Sequence, residues 1–275
     1  MTEANLLKII KKRPLLIAAA VLLGSMCLIA IFAPFIATHD PRSISLPDQF
    51  QNPNSSHLFG TDQNGSDVFS RVVYGARISL IVSLSVVLIS ATVGTFLGSL
   101  AGYFGGWVDT LLMRFIDMLY AFPGFLLALS IVAFLGPSIG NLILALCITG
   151  WTGYARLVRG EALHLKTRDF VTASRAVGAG SFRLVGIHIL PNLVGPLVVQ
   201  MTFGMAGTLI AESSLSFLGL GAPPTEPTWG GLLNVGRVYL VEAPHLSFFP
   251  GVMIVMVVLS FNLFGDGLRD YLDPK

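Results

Sequence analysis

Apolar positions in this chain come in long blocks, not in alternation. Five windows hold no Asp, Glu, Lys or Arg: Leu15 to Thr38, Ile78 to Val108, Met118 to Ala155, Ile189 to Ala211 and Ala243 to Gly265. A helix of about 20 apolar residues crosses the hydrocarbon core of a bilayer. The third window is too long for one crossing. The stretch LGPSIGN (Leu135 to Asn141) lies in its middle, and Gly-Pro is a strong helix break. The pattern therefore predicts an all-α membrane protein with six transmembrane helices. Pro123 falls near the start of the third span and is expected to kink it, because proline removes a backbone hydrogen bond and clashes with the preceding turn.

The remaining segments are polar and few. They divide the chain into a tail (1–14), a first transmembrane helix (15–38), an external loop (39–77), a five-helix core (78–266) and a second tail (267–275). Within the core, Tyr103 to Asp117 reads as a short internal loop, residues 156–191 as a large internal loop, and Glu212 to Glu242 as an external loop. The acids Asp117, Glu212 and Asp266 stand at span ends, where solvation at a helix terminus accounts for them.

The large internal loop contains RDFVTASRAVGAGSFRLVGIHILPN (Arg168 to Asn192). Asp169 can serve as an N-cap. Phe170, Ala173 and Val177 then share one helix face. Gly178 is a helix stop, because glycine takes the left-handed C′ conformation without penalty. A second helix starts at Ser181 and runs through Pro191 into the fifth span. A helix of about ten residues is marginal alone in water. Its small residues (Thr172, Ala173, Ser174, Ala176, Gly178) suit a groove in another protein better than a lipid surface, which favours large apolar anchors.

Glycines also recur at four-residue spacing in the second span, at Gly94, Gly98 and Gly102. The fifth span carries Gly204 and Gly207. Such positions let backbones approach closely. Ordinary packing inside the bundle and contact with a partner or a moving path are equally open readings.

Composition strengthens the membrane reading. The chain has 275 residues, 53% hydrophobic and 12% charged, with mean hydropathy +0.76. Soluble domains carry about 25% charged residues. The net charge of +2 gives no argument for nucleic acid. Of the 17 Lys and Arg, thirteen fall on the side of the N-terminal tail (Lys8, Lys11, Lys12, Arg13) once six spans alternate, and four on the other. By the positive-inside rule both termini are cytoplasmic. The apolar run after the basic tail exceeds the roughly 7–15 residues of a signal-peptide core, so the first helix reads as uncleaved. Cys27 and Cys147 lie in apolar runs and read as packed small residues. The five histidines are scattered in sequence.

Enzymatic signatures are missing. There is no G-x-x-x-x-G-K-[ST] phosphate loop and no H-E-x-x-H. An intramembrane enzyme is disfavoured on that ground. An ATP-independent secondary transporter is disfavoured because inverted repeats and membrane-embedded charges are not evident.

Four separated stretches carry a family resemblance. TASRAVG followed by HILP resembles the cytoplasmic EAA loop of ABC importer permeases, with Gly178, Leu190 and Pro191 in register, Thr172 in place of the Glu and His188 in place of the Ile. HLFGTDQNGSDVFSRVVYGARISL (His57 to Leu80) is similar to the dipeptide, oligopeptide and nickel branch, with Ser66 where Arg is usual. SFLGLGAPPTEPTWG (Ser216 to Gly230) and the C-terminal stretch from Phe249 look like the same branch, and within it like the second, C-type permease. The resemblance implies a type I importer fold in a bacterial inner membrane and a heterodimer with a sister permease. It also implies two ATPase subunits that bind ATP and Mg, and an external substrate-binding protein. No cofactor or metal is implied for this chain. Asp169, Phe170, Thr172, Ala173, Ser174, Arg175 and Gly178 would couple to an ATPase. Peptide is the implied cargo, with nickel or another small solute as the alternative.

Overall fold

The computed structural model describes residues 14–272. The tail lysines, Arg13 and Lys275 lie outside the described residues. The observed elements are α1 (Pro14–Ile31), α2 (Val68–Phe104), α3 (Gly106–Tyr120), α4 (Gly124–Leu135), α5 (Ile139–Leu165), α6 (Asp169–Ala176), α7 (Ser181–Phe217), α8 (Trp229–Gly236) and α9 (His245–Leu272). A short turn, Ala33–Ile36, extends α1. The described residues contain no strand.

Five helices (α1, α2, α5, α7 and α9) are long and apolar enough to cross a membrane, and α3 with α4 makes a sixth candidate bent by 77°. Pro123 does not kink a continuous span, as its position suggested. It stands at the N-cap of α4 and separates two helices. Residues Tyr103 to Asp117, expected as a loop, instead supply the end of α2 and most of α3. Gly105 and Gly106, both at positive φ, turn the chain between them. The α4 segment has 12 residues, or about 18 Å at 1.5 Å per residue. That is short of the roughly 30 Å core, so α4 spans it only together with α3.

The centre of the bundle is the pair α2 and α5, which run parallel. The glycine ladder makes this possible. A Cβ on Gly94 would sit 2.6 Å from the Trp151 carbonyl oxygen, one on Gly98 2.4 Å from the Ala155 oxygen, and one on Gly102 2.8 Å from the Arg159 oxygen. The ladder is therefore an internal seam of this chain, which decides between the two readings left open by the sequence. On α7, Gly204 admits the Tyr154 side chain, whose hydroxyl would lie 2.1 Å from an added Cβ. Gly207 faces open space.

Leu16 of α1 packs on Gly267 of α9, and Gly195 of α7 approaches Leu272. Both ends of the described chain thus lie on one face with the start of α7. On the opposite face, residues 38–67, α8 and the start of α9 form a folded cap. Trp229 is fully buried there and donates its indole N–H to the Val72 carbonyl at 3.0 Å. Gly75 gives it room. Phe59 stacks on Phe249 at 3.8 Å.

Two side chains depart from their expected surroundings. Glu212 is not at a solvated helix end, because α7 continues to Phe217. It is fully buried and accepts hydrogen bonds from Ser216 (2.8 Å) and Ser213 (3.2 Å). Cys27 is exposed on α1, while Cys147 is half-buried.

Candidate functional site

Helix α6 is the polar segment of the 156–191 loop, and it folds as a separate short helix. Its start differs by one residue from expectation. Arg168 is the N-cap and makes no side-chain cap bond, while Asp169 is the first helical residue. The Asp169 carboxylate therefore acts on the helix through its charge at the positive end of the dipole. Thr172 falls one position past a capping-box site. Its hydroxyl instead donates to the Asp169 carbonyl at 2.9 Å. The end is as the glycine predicts: Gly178 has φ +90, its N–H donates to the Arg175 carbonyl at 3.0 Å, and the Ala179 N–H donates to the Ser174 carbonyl at 3.1 Å. This is a Schellman stop.

One apolar residue pins α6 to the bundle. Val171 is fully buried with Tyr103 at the end of α2, Val158, Ala162 and Leu165 of α5, and Leu184, Ile189 and Leu193 of α7. The Arg175 guanidinium stands 5.9 Å from the Tyr103 ring, and Phe170 lies 6.4 Å from the His188 ring. Ser174 is half-buried, with its hydroxyl bonded to the Phe170 carbonyl at 2.8 Å. The predicted face of Phe170, Ala173 and Val177 is present but points outward. Phe170 is 42% and Val177 88% exposed, and Ala173 is exposed. Val171, which sequence spacing left unassigned, is the inward anchor.

Near the start of α7, residues Leu184–Ile189 form a π-helical turn. Pro191 lacks the N–H that a regular helix would use, and the wider turn absorbs the missing bond. The continuous helix from Ser181 expected from the sequence is thus observed, with this local irregularity beside α6.

Two clefts open along α5. One, of about 330 Å³, lies between α4 and α5 and includes Tyr120, Thr149 and Thr152 in its lining. The other, of about 240 Å³, is formed by α2, α5 and α7 and includes Ser90, Tyr154, Gln200 and Thr208. Thr149, Gly150, Gly153, Leu146 and Ala211 line both, so they form one furrow. Neither lining contains His, Cys, Met, Asp or Glu. At the α3 end of the furrow, Arg156 pairs with Asp117 at 2.6 Å and stacks 4.2 Å over the Tyr120 ring. Arg159 pairs with Asp109.

On the capped face, the sequence motif His57 to Arg71 is a hydrogen-bonded knot. Asp62 forms a buried ion pair with Arg71 and accepts from the N–H groups of Asn64 (2.8 Å) and Ser66 (3.0 Å). Ser66, standing where the family has Arg, is buried and donates its hydroxyl to the Ser43 carbonyl at 2.7 Å. Asp67 caps α2 by accepting from the Ser70 N–H at 2.8 Å. Burial pushes its carboxyl up, but the hydroxyl and N–H of Ser70, the His57 ring and the charge of His39 outweigh this and hold it below the usual carboxylate value.

Comparison with known proteins shows the family. Residues 94–275 match the family described as binding-protein-dependent transport system inner membrane component. This chain belongs to that family of permeases. Residues 5–55 of the permease match the N-terminal transmembrane domain of oligopeptide transport permease C. It is 43% identical over 268 residues to the dipeptide transport system permease protein DppC of Alkalihalophilus pseudofirmus, covering 98% of this chain and 88% of the relative. It is 46% identical over 266 residues to the glutathione transport system permease protein GsiD of Escherichia coli and of Shigella sonnei, covering 96% of this chain and 88% of each relative. The permease is an inner membrane component of an ABC importer, a kind of complex that works through further permease, ATPase and binding-protein subunits.

Proposed function

We propose that this permease pairs with a sister permease to form the path for uptake of small peptides. Two ATPase subunits that bind ATP and Mg drive the path, and an external binding protein feeds it. The observation that carries the coupling role is the seating of α6. A single buried residue, Val171, fixes it where α2, α5 and α7 meet, and its Phe170–Ala173–Val177 face is left free. Force applied to that face by an ATPase groove reaches α2, α5 and α7, three of the helices that bound the furrow. Coupling needs such a packed element that both sides can bias. Both chain ends, the internal loop (156–191) and α6 would then face the cytoplasm, and the cap would face outside. The lining of small and hydroxyl-bearing residues, free of metal-type ligands, favours peptide over nickel as the cargo.

The test uses the assembled complex. Ala173→Arg places a charge on the free face, and Gly178→Val forces a β-branched residue to positive φ. Both variants are expected to assemble, to lose most substrate-stimulated ATPase activity and to lose transport. Normal transport and normal stimulation in an assembled Ala173→Arg complex would overturn the coupling role.

A further inference from the structure

The cap holds a side-chain cluster outside the furrow. His39 follows the outer end of α1, His57 lies in the loop, and Asp67 starts α2. The two imidazoles stack with centroids 4.7 Å apart and a 30° tilt. Both aim Nδ1 at one carboxylate: His57 Nδ1 is 3.0 Å from Asp67 Oδ1, and His39 Nδ1 is 3.8 Å from Oδ2. One ligand atom from each of the three lies within 4.8 Å of the other two. Asp67 is 1% exposed, His57 14% and His39 40%.

We propose that His39, His57 and Asp67 bind a divalent transition-metal ion of the zinc type, which clamps the outer end of α1 to the loop and to the start of α2. Zinc holds imidazole nitrogen and carboxylate oxygen at about 2.0–2.2 Å in tetrahedral geometry, which sets such ligand atoms about 3.3–3.6 Å apart. His57 Nδ1 and Asp67 Oδ1, 3.0 Å apart, are near that spacing, and His39 Nδ1 stands 3.8 Å from the other carboxylate oxygen. The exposed His39 can close the remaining gap at small cost.

Hydrogen bonds also tie this cluster together: His39 Nδ1 lies 3.0 Å from the Thr38 hydroxyl, which donates to Asp67 Oδ2 at 3.3 Å. Two rings converge on one carboxylate, and its Oδ2 already accepts from the Ser70 N–H (2.8 Å) and hydroxyl (2.7 Å). Those same bonds would orient the carboxylate as a metal ligand, the usual role of groups behind a metal site. Two imidazoles and one carboxylate select zinc, nickel or copper over magnesium or calcium. None of the three residues lines the furrow, so the ion is a resident clamp and not cargo. The proposal stands apart from the choice of transported substrate.

The complex, stripped with a chelator and reconstituted in nanodiscs, would be titrated with Zn2+ in competition with a chromogenic indicator. His39→Ala and His57→Gln are each expected to weaken the tightest Zn2+ site by about 10-fold or more. His164→Ala, outside the cluster, should leave it unchanged. Co2+ should give visible absorption bands in the unmodified complex that are missing in both variants. Should His57→Gln fail to assemble, the exposed His39→Ala decides alone. Equal Zn2+ affinity in the unmodified and His39→Ala complexes, or displacement of Zn2+ by equimolar Mg2+, would overturn the site and leave a hydrogen-bonded cap only.

Discussion

Individual glycines in this permease are not interchangeable, and their surroundings predict which substitutions hurt. Gly98→Ala brings a methyl group within 2.4 Å of a backbone oxygen on α5. Because backbone cannot move aside like a flexible side chain, a loss of about 1–3 kcal/mol is expected. Gly207→Ala meets nothing within 4 Å and should leave thermal stability unchanged or slightly raised, since alanine is the better helix former. Melting of the two variants side by side in detergent checks this. Arg71→Ala is the severe case. Removing the guanidinium strands the Asp62 carboxylate, which is 2% exposed, and breaking a buried pair from one side costs about 3–5 kcal/mol. Loss of folded complex at temperatures the parent survives is the expected result. The buried Glu212 belongs to this scale too. Its neighbours in sequence are polar serines, which read as a loop, and only the continuation of α7 shows that those serines exist to hold the carboxylate.

Helix α3 shows how an element can differ from its reading. Trp107, Leu111, Phe115 and Met118 form an exposed apolar stripe at three- and four-residue spacing, while Ile116 is fully buried and Asp109 and Asp117 reach α5. The helix is thus amphipathic and strapped to α5 by two ion pairs of unequal setting. The Asp109–Arg159 side chains are 18% and 33% exposed, whereas Asp117 and Arg156 are 60% and 45% exposed. Exposed pairs contribute about 0–1 kcal/mol. A double-mutant cycle on Asp109 and Arg159 is expected to show a larger coupling energy than one on Asp117 and Arg156, with the second near zero at high salt. The reverse order would show that the straps do not hold α3. Helix α6 follows the opposite course: its stop at Gly178 is legible from sequence, because φ +90 demands glycine. Its inward face is not legible, because eight residues make barely two turns and many faces fit so short a pattern.

For the whole molecule, the geometry links the two chain ends to α6 and opposes them to the cap. With the native Cys27 and Cys147 replaced, Val177→Cys on the α6 side and Ser55→Cys in the cap should react with a membrane-impermeant maleimide from opposite sides in oriented vesicles. On the basic-residue bias, Val177 is expected to react from the inside. Labelling of both from one side would contradict the six-crossing arrangement. It would also show that the bent pair α3–α4 does not cross.

The span count, the stop at Gly178 and the family were within reach of the sequence alone. A bilayer requires about 20 apolar residues per crossing, and that local demand is written in consecutive residues, as are the four motifs. Contacts between distant segments were not. Gly94, Gly98 and Gly102 meet α5 residues more than fifty positions away, and His39, His57 and Asp67 converge from three segments. Spacing says which residues share a face. Only the packing of that face against another decides whether a glycine is a seam or an opening, and whether scattered histidines form a site.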